Sequence, residues 1–124
     1  MLHTYLTTSW HLRYPIIGAP MAYVGRGRLA HAVSQAGGLG MIGIGSTESV
    51  DFLAREAAIA RGTDQLRFGI GMHAWAIEKR PDLLEAADRG QPFSHLPFVW
   101  FPRSLCGEAA SARHCACHAS QHTN

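Results

Sequence analysis

A cluster of cysteine and histidine side chains near the C-terminus is the part of the sequence whose residue types most directly suggest chemistry. It comprises Cys106, His122 and the run His114-Cys115-Ala116-Cys117-His118. Thiolates and imidazoles are zinc ligands, and four of them can form a tetrahedral site. However, Cys-x-Cys is not the spacing of a zinc knuckle, and an odd number of cysteines makes a poor disulfide framework. A small Cys/His metal- or thiol-binding protein is therefore one alternative that the sequence leaves open.

Two further positions can take part in chemistry because they lie at the ends of predicted strands, where α/β proteins bind ligands. The turn Pro20-Met21-Ala22 closes an apolar run, and its small residues would let backbone amides approach a flat ring closely. The alternative is a turn that only ends the strand. His73 follows another apolar run and could serve as a general base, although an exposed loop histidine is the preferred interpretation.

The glycine-rich segment Ala36-Gly37-Gly38-Leu39-Gly40 does not predict a dinucleotide site. Its glycines end a predicted helix and enter a strand, whereas the glycines of the dinucleotide fingerprint follow a strand and open a helix. They indicate tight turning and close packing of a helix on a sheet.

The elements that must position these residues alternate between strand and helix. Apolar runs predict strands at 14–20, 38–44 and 66–72. Helical spacing predicts a helix at 28–36 and a second helix that is capped by Ser46 or Thr47 and ends at Gly62. A third helix is predicted at 77–87, with a possible new start at Pro81. This order predicts a parallel sheet covered by helices, either open and doubly wound or closed as an eightfold barrel. A barrel needs ~250 residues, so a barrel interpretation makes this chain the first three βα units.

Composition limits the classes of function. Hydrophobic residues make up 47% of the 124 residues, which excludes wholesale disorder, and the formal net charge of +2 gives no reason to expect nucleic acid as a partner. No apolar run reaches the ~18 residues of a membrane span. The first ten residues lack the basic start and apolar centre of a secretory signal. The expectation is a cytoplasmic protein without a membrane partner, and its oligomeric state stays open.

Two motifs together resemble the start of the nitronate monooxygenases, also called 2-nitropropane dioxygenases. They are Tyr14-Pro15-Ile16-Ile17-Gly18-Ala19-Pro20-Met21-Ala22 and Val33-Ser34-Gln35-Ala36-Gly37-Gly38-Leu39-Gly40-Met41-Ile42-Gly43, and they occur in the family's order and at its separation. Residues 67–72 resemble the family's third strand. The resemblance covers residues 10 to 93 and implies an FMN-dependent (β/α)8 barrel that oxidises alkyl nitronates with O₂.

The resemblance also implies site residues. Pro20, Met21 and Ala22 would contact FMN, largely through the backbone, and Gly71 stands where many members place an asparagine. The family's catalytic histidine and phosphate site come from later parts of the barrel, so this chain is expected to be an inactive fragment that forms no stable FMN complex. A flavin-dependent enoyl reductase of the same barrel superfamily is the alternative within enzymes, because its opening motifs are alike.

The last 31 residues are interpreted as an off-frame tail without defined structure, after a first domain of residues 1–93. Residues 94–124 hold all three cysteines and only three of the 20 charged residues. Codons read from each second base permit LISLSFGSPAPYVERL from Ser94 to Ala109 and IALATQVNT from His114 to His122. Both strings resemble barrel elements, so a frameshift near Phe93 would make the cysteines and histidines of the tail accidents of reading frame.

Three units cannot close a barrel, and this predicts incomplete cover for the strands. Aggregation or a molten state is the expected consequence. The side chains expected to be incompletely covered are Leu39, Ile42, Ile44, Ile70 and Met72.

Overall fold

The computed structural model describes residues 2–89, with the side chains at positions 74, 77, 88 and 89 left out. The elements in chain order are α1 (Tyr5–Ser9), α2 (Gly27–Gln35), β1 (Gly40–Ile44), α3 (Val50–Arg61), β2 (Phe68–Met72), α4 (Ala74–Lys79) and α5 (Pro81–Arg89). β1 and β2 pair in parallel, in a register that places Gly43 beside Gly71. The predicted α/β class with a parallel sheet is confirmed, and within these residues the sheet has two strands and no closed barrel.

The first predicted strand, residues 14–20, is an extended segment rather than a regular strand. It lies alongside β1 and contacts it through isolated parallel bridges, Ile17 with Leu39 and Ala22 with Gly43. The Gly18 amide donates to the Leu39 carbonyl at 2.8 Å. Residues 14, 16 and 18 face β1 through their backbone groups, and Pro20, the next residue on that side, has no N–H group to continue the ladder.

The three predicted helices are present with two differences, whereas α1 was not predicted. α3 begins at Val50 because Ser49, rather than Ser46 or Thr47, is its N-cap and accepts a hydrogen bond from the Phe52 amide at 3.1 Å. It ends where Gly62 adopts a φ of 60°, as predicted. The third predicted helix is two helices, and the second of them starts at Pro81, where a proline suits the first helical position.

Both faces of the small sheet are covered, so the expectation of exposed strand residues was wrong. One face packs against α2, α3 and α5 in a core that includes Ile42, Ile70 and Leu83. The other face is covered by the N-terminal segment, where Leu12 packs with Leu39 and Met41. The sequence analysis assigned no role to this N-terminal segment. None of the five side chains in question is more than 6% exposed; they are Leu39, Ile42, Ile44, Ile70 and Met72.

Helices α2 and α3 are joined by a buried carboxylate. Glu56 of α3 accepts a hydrogen bond from the amide of Gly27, the first residue of α2, at 2.8 Å. A side chain at position 27 would overlap the α3 backbone, so glycine allows this close approach. None of the described helices is long and apolar enough to cross a membrane.

Candidate functional site

The carboxyl ends of the parallel strands form the candidate site, and the structure brings all four predicted site residues together there. Pro20 lies over Gly71 near the end of β2, where a Cβ on Gly71 would overlap the proline ring. Ala22 bridges to Gly43, which is the register neighbour of Gly71. Met21 lies between these two contacts in the chain, so the three-residue turn crosses both strands.

The turn is held flat against β1 by backbone contacts. The Met21 carbonyl accepts hydrogen bonds from the amides of Gly25 at 2.7 Å and Val24 at 3.2 Å. The Gly43 amide donates to the Gly25 carbonyl at 2.7 Å, and a Cβ on Gly43 would overlap the Met21 backbone. The side chain of Met21 nevertheless stays 44% exposed. The turn is therefore fixed on β1 through its backbone, with the Met21 side chain exposed.

The loop that follows β1 is fastened to α5 by Arg80. One guanidinium nitrogen, Nη1, donates to the carbonyls of Ser46 at 3.2 Å and Glu48 at 3.1 Å. The other two nitrogens contact both oxygens of Asp82, at 2.9 and 2.7 Å. This hydrogen bonding raises the pKa of Arg80 above its ordinary value and lowers the pKa of the Asp82 carboxyl.

Glu48, on the same loop, is a functional candidate that the sequence pattern does not single out. Its side chain is buried, and Oε2 accepts a hydrogen bond from the Gly45 amide at 2.9 Å. Its second oxygen, Oε1, is buried without a hydrogen-bond partner in the described part of the chain. A glutamate just after an apolar strand was the available signal, but burial cannot be inferred from one sequence at a loop position.

His73 is exposed directly after β2, as the preferred interpretation predicted. Its ring stacks on that of Trp75 with centroids 5.7 Å apart and planes 12° from parallel. The ammonium of Lys79 lies 5.9 Å from the Trp75 centroid. These contacts describe a surface aromatic pair rather than a base oriented toward the Pro20 turn.

Comparison with known proteins identifies the family. The family model of nitronate monooxygenase matches residues 3–89, which is more than half of the chain. The chain belongs to the nitronate monooxygenase family. No curated protein matches it.

Solved structures similar to this family member include FabK from Thermotoga maritima, at 29% sequence identity and a TM-score of 0.62 over 80% of this chain. A point mutant of the same protein is similar at 30% identity, also with a TM-score of 0.62, over 79% of this chain. The chain spans 30% and 31% of the length of these two structures.

The nitronate monooxygenase family is FMN-dependent in general, and features of this chain fit a flavin ring. The Pro20 turn offers an apolar, small-residue surface, and Glu48 offers an unpaired acceptor at the same edge. No group of three or more metal-ligating side chains exists among residues 2–89. The predicted Cys106–His122 cluster and the off-frame domain 94–124 lie outside the described residues.

Proposed function

We propose that this chain carries the flavin-ring side of an FMN-dependent nitronate monooxygenase, which oxidises alkyl nitronates with O₂. The observation that supports this most strongly is the family match over residues 3–89 together with the packing of the Pro20-Met21-Ala22 turn on Gly43 and Gly71. The turn is the one implied by the family resemblance to lie against FMN, and its fixed geometry suits a planar ligand.

When bound, FMN would supply the redox chemistry of the proposed reaction, the oxidation of the substrate carbanion. The chain's own residues orient the ring and exclude water from one side of it. Pro20 has no N–H group, so its ring adds an apolar surface, while the backbone of Met21 and Ala22 supplies polar contacts at fixed positions. The base that takes the substrate proton is proposed to come from a later part of the barrel, because His73 is committed to a surface stack.

The phosphate of FMN is also proposed to bind elsewhere in the full barrel. Helix N-termini are common phosphate sites, but at the start of α2 the Gly27 amide donates to Glu56. A buried carboxylate at this position disfavours an anion. The chain therefore offers the ring side of the cofactor site.

A flavin-dependent enoyl reductase of the same barrel superfamily is the second candidate. The observation in its favour is the similarity to FabK, an enoyl reductase, over four-fifths of this chain. The small, exposed turn at Pro20 suits either reaction, because both need a flavin ring and differ in the substrate side of the site.

Residues 94–124 are proposed to be translated out of frame, so that residues 1–93 are the part that carries the family's structure. In support, the family match ends at residue 89. A restored reading frame would extend the chain with the LISLSFGSPAPYVERL string, which has the apolar pattern of a further buried strand followed by a helix.

The experiment that tests the proposed function uses the protein translated from the restored frame. Oxygen uptake is measured with propyl-2-nitronate, and NADH consumption is measured separately with an enoyl thioester. Flavin-dependent oxygen uptake with the nitronate is expected. Reduction of the enoyl thioester without nitronate oxidation would instead establish the enoyl reductase.

A further inference from the structure

Gly71 leaves the candidate flavin edge without a polar side chain near the end of β2. The overlap of any Cβ with Pro20 means that this position holds only glycine while the turn stays in place. We propose that Glu48, on the neighbouring strand's loop, supplies the missing polar contact by accepting a hydrogen bond from N3–H of the isoalloxazine ring. This assignment rests on the proposed function, because it requires a flavin at this edge.

The carboxylate of Glu48 is fixed in place at one oxygen. The side chain is only 8% exposed, and Oε2 accepts the Gly45 amide at 2.9 Å. The backbone carbonyl of the same residue accepts from Arg80 at 3.1 Å. Both contacts hold the residue against the end of β1, so the second oxygen has a defined position.

That second oxygen, Oε1, requires a donor. It is buried, and no described residue gives it a hydrogen bond. A buried acceptor without a partner is costly, and a carboxylate more so than a neutral group. Arg80 does not fill the gap, because its guanidinium donates to two backbone carbonyls and to Asp82. A ligand with an N–H group would remove this cost.

The position of Glu48 suits a ring that lies on the Pro20 turn. β1 and β2 run in parallel with Gly43 beside Gly71, so the loop at Gly45–Glu48 begins at the same edge, next to the end of β2. Oxidised isoalloxazine carries a single ring N–H, at N3. It is the one ring group able to donate to Glu48.

Tyr23 lies near the carboxylate. A Cβ built on Gly45 would lie 2.9 Å from Glu48 Oε2 and 3.4 Å from the Tyr23 hydroxyl. Tyr23 is 62% exposed, and its hydroxyl shares a hydrogen bond with the Thr47 hydroxyl at 3.1 Å. Exposed side chains change rotamer within nanoseconds, so movement of Tyr23 is the step proposed to give the ring access to the carboxylate.

The test compares two probes on the 124-residue chain: lumiflavin, which is the ring without the phosphate, and 3-methyllumiflavin, which lacks the N3–H donor. Protein is titrated into each probe and flavin fluorescence is followed. The wild-type chain is expected to bind lumiflavin about tenfold more tightly than the methylated probe, since a hydrogen bond to a charged group is lost. Glu48→Ala is expected to abolish this preference, whereas Glu78→Ala, a matched change at an exposed glutamate, is expected to keep it.

The outcomes separate the two proposals. Equal binding of both probes by the wild-type chain overturns the role of Glu48 and leaves the ring site intact. Binding of neither probe overturns the ring site on this chain, whereas the proposed function is decided separately by nitronate-dependent oxygen uptake of the restored-frame protein. Should Glu48→Ala fail to fold, as seen by circular dichroism, Glu48→Gln takes its place and is expected to reduce the preference, because a neutral amide oxygen is a weaker acceptor than a carboxylate; an unchanged preference would overturn the role of Glu48.

Discussion

At the scale of single residues, Gly71 shows how the site constrains the sequence. Its lack of a side chain lets Pro20 pack directly on β2, which positions the turn at the edge of the sheet. Gly18 serves as a comparison, because it lies in the same extended segment as Pro20. A Cβ added to Gly18 would lie 3.5 Å from its nearest atom, the Leu39 carbonyl oxygen, which is an ordinary van der Waals distance.

We therefore expect Gly71→Ala to lower the free energy of unfolding by about 1–3 kcal/mol, the usual cost of overpacking, whereas Gly18→Ala stays within about 0.5 kcal/mol of wild type. Urea unfolding of the two variants measures the difference. Equal stability of Gly71→Ala and Gly18→Ala would show that Pro20 does not occupy the space over β2.

At the scale of elements, the part of the fold that follows from periodicity was predictable and the part that depends on tertiary contact was not. The strands β1 and β2, the helix stop at Gly62 and the start at Pro81 all follow from local residue types. The irregular pairing of residues 14–20 depends on which side of the segment faces β1, because only Pro20 lacks an N–H group on that side. The cover that Leu12 gives to one sheet face depends on a contact far along the chain, and so does the burial of Glu48.

The contact between the β1–α3 loop and α5 gives a pH-dependent prediction at this scale. Hydrogen bonding to Arg80 lowers the pKa of Asp82 in the folded chain, so its contribution to stability is present above the unfolded pKa and is lost as the pH falls through the folded pKa. Asp82→Asn is expected to lower the melting temperature slightly at about pH 7 and to make no difference at about pH 2. Asp64→Asn, at another exposed aspartate, is the control. A difference in melting temperature between Asp82→Asn and wild type that persists at the lower pH would contradict the stabilising role of the Asp82 carboxylate.

At the scale of the whole molecule, the chain is proposed to form one side of a cofactor site. It spans about 30% of the length of the similar solved structures, and its described residues include the turn and the acceptor proposed to contact a ring, but no proposed phosphate contact. We expect FMN added to the purified chain to be removed by desalting, because the ring contacts alone give weak binding. Retention near one FMN per chain, measured by flavin absorbance, would contradict this; the restored-frame protein is the positive control.

We propose that residues 1–93 are the ring-binding part of a larger FMN-dependent barrel and that the reading frame changes near Phe93. The coding DNA across the codons for Phe93 and Ser94 tests it most directly. We predict that removing one inserted thymine restores TTC-CTC-ATC-TCC and opens a frame that runs on to ~300 residues in total, the size of a barrel with insertions. A stop codon in the shifted frame within a few codons of position 94 would contradict the account and return the cluster from Cys106 to His122 to consideration as a functional site.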